Sequence, residues 1–402
     1  MNTHSAPFQP VSAQDLAWLG TDPIPAKPYY DPAYFELERQ AIFMRTWLNV
    51  GHVCEIPDSG SFIRRDIEFA NASILIVRGK DDGIRAFHNV CTHRGTQLVQ
   101  AQAGRQSTFS CPYHMWTFST DGALLSAPDF DQFHVGKKEC ALPRIAVDVC
   151  AGMIFISFAA APEPLRDWLG DLADRLEALP VARATTFHEY VYEIDANWKL
   201  TYDNFQENYH LRFIHPRSAG AGTGAENPFG YPVRYGFHGQ HRTQTIWANR
   251  NAPPPPPPAM IAYGKAAEAA AENGVLVSQD AKDYFALFPN FFLLGSPLQH
   301  FSHVVMPISA TRSRGVIRLY WIGEDQSASE RFAREYLMAT ARDIHAEDRG
   351  VIEAGQKGLN SGALKHIHFQ TQEALCRHLF LSVDAVVEAY KAETALVTEV
   401  AA

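Results

Sequence analysis

At 402 residues, 46% hydrophobic and 20% charged, the chain has the balance of a globular protein with room for two domains and a sizeable core. A net charge of −9 without any Lys/Arg-rich run argues against a nucleic-acid surface. No apolar run is long enough to span a bilayer, and Met1-Asn2-Thr3-His4 has no basic flank or apolar core, so a cytoplasmic protein with no membrane partner is expected.

Asp31 reads as an N-cap with Pro32 at the first helical position, opening a helix that leads into Trp47. From about Leu48 to Ala159 the pattern changes to short β-branched and aromatic runs broken by Gly, Asp and Pro, among them Ser73 to Arg78, the turn Asp81-Asp82-Gly83, and Gly152 to Ser157. This spacing predicts a small all-antiparallel unit with its functional loops at hairpin tips. Inside it stand Cys91-Thr92-His93-Arg94-Gly95 and Cys111-Pro112-Tyr113-His114. Two thiolates and two imidazoles suit a [2Fe–2S] cluster with both histidines on one iron, and a structural zinc ion also accepts such a set. Zinc ribbons usually pair cysteine with cysteine; here each loop pairs one Cys with one His, which favours the cluster. Six cysteines are too few for a disulfide framework, so Cys54, Cys140, Cys150 and Cys376 are expected as reduced thiols.

The two loops resemble the Rieske motif. In the respiratory type each loop carries a further Cys, and these form a disulfide; Thr96 and Tyr113 occupy what look like those positions, so the resemblance implies none here. Trp116 and Phe118 replace the Ser and Tyr whose hydroxyls raise the potential in that type, which implies a low-potential cluster, as in Rieske oxygenases. Met115 departs from the small residue common after the last His.

Leu165 to Leu179 looks helical, and Tyr190 to Ile194 alternates like a strand. Asn197 is a good N-cap for a helix from Trp198, on which Glu207 and His210 would share a face at i and i+3. His210 and His215 lie about 140° apart on an unbroken helix and could not both reach one metal. Pro216 disfavours the α region at His215, so the helix should end or kink there and swing His215 back. Residues 217–285 look irregular, with Gly220 to Gly224 and the run Pro253 to Pro258, read as a polyproline surface excursion. Phe291 to Leu294, His303 to Met306 and Val316 to Trp321 predict strands of a larger antiparallel sheet. A helical pattern from Glu330 to Gln356 contains Glu347-Asp348.

Taken together, Asn-Trp-Lys…Asn-Phe-x-Glu-x-Tyr-His-x₄-His at 197–215, about a hundred residues after the Rieske motif, resembles the terminal oxygenase α subunits of Rieske non-haem iron oxygenases over nearly the whole chain. The resemblance implies an α+β fold. A small antiparallel Rieske domain would span 46–159, and a catalytic domain of 1–45 and 160–402 would set an antiparallel sheet against helices in a helix-grip-like arrangement. It implies the cluster on Cys91, His93, Cys111 and His114, and mononuclear Fe(II) on His210, His215 and Asp348, with Glu347 the alternative to Asp348. Glu207 would link the iron site to a cluster histidine of a neighbouring subunit, and Asn204 lies near the iron. No Gly-rich dinucleotide fingerprint is present, so NAD(P)H is expected to act indirectly through a reductase or ferredoxin. The expected assembly is a ring of three, with or without a β subunit, acting with O₂ on a small organic substrate. Oxidation of an aromatic ring is the first expectation; removal of an N- or O-methyl group from a small quaternary amine is the alternative, and an electron carrier without catalytic iron is the alternative of another class.

Overall fold

A computed structural model describes residues 8–218, 222–275, 283–295 and 300–401; residues 1–4 and 220–221, read above, lie outside them. The capping signals near the start act as expected. Asp31 accepts a hydrogen bond from the Ala33 N–H at 3.0 Å, and Pro32 begins α1 (Pro32–Glu38), where its missing N–H is no loss.

Contacts divide the chain into two compact units, one of Phe43–Ala178 and one formed by the chain up to Ile42 and from Leu179 onward. The first unit runs further than the 46–159 expected from sequence. The added helices α2 (Leu165–Leu169) and α3 (Leu172–Glu177) pack on the strand Arg144–Cys150 and bury Leu165, Leu169, Leu172 and Leu176. Helices this short hold only where their apolar face is covered.

In the first unit, seven antiparallel strands run in the order Leu48–His52, Met153–Ser157, Arg144–Cys150, Ile84–His88, Ala72–Arg78, Ser61–Ile67 and Ala103–Arg105. A three-stranded sheet of Thr108–Ser110, Thr117–Ser119 and Leu124–Ser126 accompanies them. Phe62, Leu75, Val77, Phe87, Phe109 and Phe118 belong to one core that also contains Cys91 and Cys111. The second Cys/His loop is a hairpin tip, between Ser110 and Thr117. The first is not: the strand after it, Ala103–Arg105, pairs with Ser61–Ile63 rather than with Ile84–His88.

In the second unit, seven antiparallel strands run Thr186–Ile194, Arg312–Trp321, His300–Ser309, Phe291–Gly295, Asp283–Leu287, His241–Thr245 and Arg234–His238. The helix expected from Trp198 is broken into α4 (Trp198–Asp203) and α5 (Leu211–Ile214). Residues 217–285 are more regular than expected. They supply three strands, and Pro257 and Pro258 begin the sixteen-residue α6 (Pro257–Glu272) after Pro256 at φ −55°, ψ 151°. Proline's fixed φ suits both an extended lead-in and a helical first turn, so only the front of the run is extended.

The longest helix, α7 (Ala328–Asn360), packs against α6 and the Thr186–Ile194 strand, and α8 (Ala374–Ala401) closes the chain. Its buried stripe includes Leu337, Met338, His345, Asp348, Ile352 and Gln356, the spacing of one helix face. An acid and a histidine within that stripe are costly to bury without a partner, which directs attention to what they face.

Candidate metal centre and its cavity

α4 starts where Asn197 accepts the Lys199 N–H at 2.9 Å and donates to the Ala310 carbonyl at 2.6 Å, while its own N–H donates to Gln356 of α7 at 2.8 Å. Within it the Lys199 ammonium is fully buried, bonded to Glu38 at 2.5 Å and to the Pro28 carbonyl at 2.9 Å. Asp203 ends the helix, held by Tyr29 Oη at 3.1 Å; burial pushes its pKa up to about 7 against the opposing pull of that hydrogen bond. The chain then turns at Asn204 to Gln206, and the Glu207 carboxylate captures the backbone N–H groups of Tyr209 and His210. Glu207 and His210 thus meet through a capping turn that starts α5, rather than along one helix face. After Ile214, His215 adopts φ −113° and ψ 42°, leaving the helical region as Pro216 demands.

These turns gather His210, His215 and Asp348, with one donor atom from each within 4.8 Å of the others. His215 Nε2 lies 2.8 Å and His210 Nε2 3.6 Å from Asp348 Oδ1. The opposite ring nitrogens are occupied: His210 Nδ1 bonds Glu207, and His215 Nδ1 bonds Glu347 at 2.6 Å, with Ser218 Oγ donating to the same Glu347 oxygen. Burial alone would lower the His215 pKa, but the neighbouring carboxylates Asp348 and Glu347 outweigh it and raise it. Asp348 is 2% exposed, and its Oδ1 receives no well-directed hydrogen bond. Two imidazoles pinned at Nδ1 and a buried carboxylate oxygen left over are the donor set of a mononuclear metal with positions still open. The set fits iron.

The Cys/His loops of the first unit repeat one geometry. In the first, Gly95 N–H donates to the Cys91 carbonyl at 2.9 Å and Cys91 N–H to Thr96 at 2.8 Å; in the second, Met115 N–H donates to Cys111 at 3.0 Å and Cys111 N–H to Trp116 at 2.8 Å. Gly95 and Met115 fall at the same point, at φ 80° and 57°. The left-handed conformation is what makes glycine the easy choice there. Met115 adopts it with its side chain 58% exposed, so it does not crowd the loop interior. Trp116 stacks on His93, centroids 4.9 Å apart, and the His93 and His114 rings lie 4.6 Å apart. Cys91 and Cys111 are buried free thiols, and His93 Nδ1 and His114 Nδ1 are buried without hydrogen-bond partners. Among the described residues only the His210, His215 and Asp348 set gathers three donors within 4.8 Å. Two buried thiols and two buried, unpartnered imidazole nitrogens are the mixed donor set of a [2Fe–2S] cluster.

A cavity of about 290 Å³ opens beside the triad. Phe205, Tyr263, Tyr284, Phe292 and Phe301 wall it, Asn204 and His345 also line it, and among the described residues no Lys or Arg does.

Residues 181–389, just over half of the chain, match the family described as Ring hydroxylating alpha subunit (catalytic domain), and residues 46–144 match the Rieske [2Fe-2S] domain. The chain belongs to the ring-hydroxylating α-subunit family. It is 37% identical over 198 residues to the glycine betaine monooxygenase oxygenase subunit of Pseudomonas aeruginosa, a match covering 48% of this chain and 44% of that one. The chain thus spans less than half the length of that relative. With the carnitine monooxygenase oxygenase subunit of Acinetobacter pittii it shares 28% identity over 352 residues, 86% of each chain. A solved structure of the quaternary ammonium Rieske monooxygenase CntA, 23% identical, has the same fold with a TM-score of 0.75, covering 94% of this chain and 99% of that one.

In this α subunit Asn204 caps the end of α4, with its Nδ2 buried and unpartnered at the cavity wall. Glu347, the alternative to Asp348, occupies the outer nitrogen of His215 instead. Sequence reasoning missed that partnership, the buried Asp203, and the group of Tyr192, His303 and His345 behind the cavity. Their only sequence signal was His345 standing three residues before Asp348, on the same face of α7. No helix among the described residues is long and apolar enough to cross a membrane.

Proposed function

We propose that the protein is the oxygenase subunit of a multicomponent Rieske monooxygenase that oxidises a small quaternary amine. The observation that carries this reading is a three-donor set, two of its members buried, beside a cavity with aromatic walls and, among its described lining, no cationic side chain. Aromatic faces attract a desolvated quaternary ammonium, and a Lys or Arg would repel it. The glycine betaine and carnitine enzymes that this chain resembles take trimethylammonium substrates, which ranks the alternative expected from sequence above oxidation of an aromatic ring. An electron carrier would have no use for a second, three-donor set.

His210, His215 and Asp348 would hold Fe(II), which would supply activation of O₂. Glu207 and Glu347 fix the tautomer and orientation of the two imidazoles, each leaving Nε2 facing the centre. Cys91, His93, Cys111 and His114 would hold the cluster that accepts electrons singly from a reductase or ferredoxin oxidising NAD(P)H. In this reading Glu207 also meets His114 of a second copy in a ring of three, and Asn204 helps position the iron site.

The test is NADH-dependent O₂ uptake with a surrogate reductase across trimethylammonium compounds and aromatic acids. Uptake coupled to C–N bond cleavage in a trimethylammonium compound is expected. Cis-dihydroxylation of an aromatic ring, with no turnover of the amines, contradicts the proposal.

A further inference from the structure

His345 is 1% exposed, lines the cavity, and has no hydrogen-bond partner at either Nδ1 or Nε2. Its surroundings hold the ring without satisfying it. Tyr192 packs on its face with centroids 3.8 Å apart, Phe205 lies parallel at 6.2 Å, and Tyr190 meets it edge-on at 5.7 Å. Tyr192 Oη is engaged elsewhere, with Nε2 of His303 at 2.6 Å. Burial drives the His345 pKa down to about 4, so the ring is neutral and presents one donor and one acceptor. Each buried polar atom left unpaired gives up its hydration without a replacement. A Phe would fill the same aromatic niche without that cost, so the retained imidazole needs a reason outside its own packing.

The cavity supplies one. Its remaining walls are mainly apolar, and with no Lys or Arg among the described lining, an oxygen on the substrate meets only neutral donors, which are the Asn204 and Asn208 amides, the Thr340, Tyr263 and Tyr284 hydroxyls, and His345. His345 and Asp348 are one helical turn apart on α7, about 4.5 Å along the axis. We infer that His345 is a substrate-recognising residue, donating a hydrogen bond to a hydroxyl or carboxylate oxygen of a substrate held in the cavity beside the triad. A ligand of this class carries its ammonium against the aromatic walls and its oxygen on His345. The inference deepens the proposed quaternary-amine reading and rests on it only for the choice of ammonium head group.

The experiment compares the wild-type holoenzyme with His345→Phe and His345→Asn on matched pairs. Choline and glycine betaine are set against butyltrimethylammonium, and benzoate against toluene. His345→Phe should lower the ratio of kcat/KM for the oxygenated over the oxygen-free member about tenfold or more, through KM, and His345→Asn should restore part of it. Iron content should be unchanged in both, and the melting temperature of His345→Phe should equal or exceed that of the wild type, because two unsatisfied atoms are removed. An unchanged ratio, or a lowered melting temperature, overturns the inference. If only the benzoate and toluene pair is turned over and its ratio falls, the quaternary-amine reading fails while the role of His345 stands.

Discussion

At the scale of single residues, two glutamates do parallel work from different parts of the chain. Glu207 holds His210 from the turn before α5, and Glu347 holds His215 from α7 beside Asp348. Each leaves one imidazole nitrogen for a metal, so Glu207→Gln and Glu347→Gln should both loosen iron, by about 10- to 100-fold in affinity. They should differ in electron delivery. With the cluster reduced in advance and iron resupplied, cluster oxidation under O₂ and substrate should slow by orders of magnitude in Glu207→Gln alone. Equal rates in the two variants would leave Glu207 as an orienting partner only and remove it from the transfer route. That His210 and Glu207 would lie close was legible in their spacing, but the contact comes from a turn and not from the shared helix face that the spacing implied. The Glu347 bond was not legible, because it joins residues more than a hundred positions apart.

At the scale of elements, the break between α4 and α5 makes the site possible, and it was half legible. Pro216 announced the departure at His215, but nothing local announced the earlier stop at Asp203, which depends on tertiary partners: Tyr29 on its carboxylate, Arg242 on Gln206, and Gly230 accepting from Asn208. The strands and α7 were readable because their hydrophobic period is local. The polyproline run misled because its last residues serve equally well as a helix start. Asp203 has a consequence for stability. Its folded pKa, raised to about 7 by burial, lies above the unfolded value, so the folded state favours the protonated form. Its contribution is therefore greatest below the unfolded carboxylate pKa and is lost as pH rises to about 7, by roughly 4 kcal/mol at most. Thermal melts of Asp203→Asn and wild type between pH 4 and 7 should show the variant gaining relative to wild type as pH rises. A difference that does not change with pH would contradict this.

At the scale of the whole molecule, each compact unit carries its own donor set on its own scaffold. The small sheets present two thiols and two imidazoles from loops of matching geometry, and the two ends of α5 with α7 present two imidazoles and a carboxylate. The Cys/His set and the two histidines stood out in the sequence as spaced ligand types, because ligand chemistry restricts residue type far more than packing does, whereas Asp348 was read only from the resemblance, with Glu347 beside it as the alternative. The cavity that should decide the substrate was not visible there, since its walls come from the turn between α4 and α5, from α5, α6, α7 and four strands. The central claim is that both sets are loaded in one chain, and iron and acid-labile sulfide counted per chain, in wild type and Asp348→Ala, test it most directly. The expected result is about three irons and two sulfides in a red-brown wild type, falling to about two irons in Asp348→Ala with colour and sulfide retained. Zinc in place of sulfide-bound iron, or a third iron that survives Asp348→Ala, would contradict it.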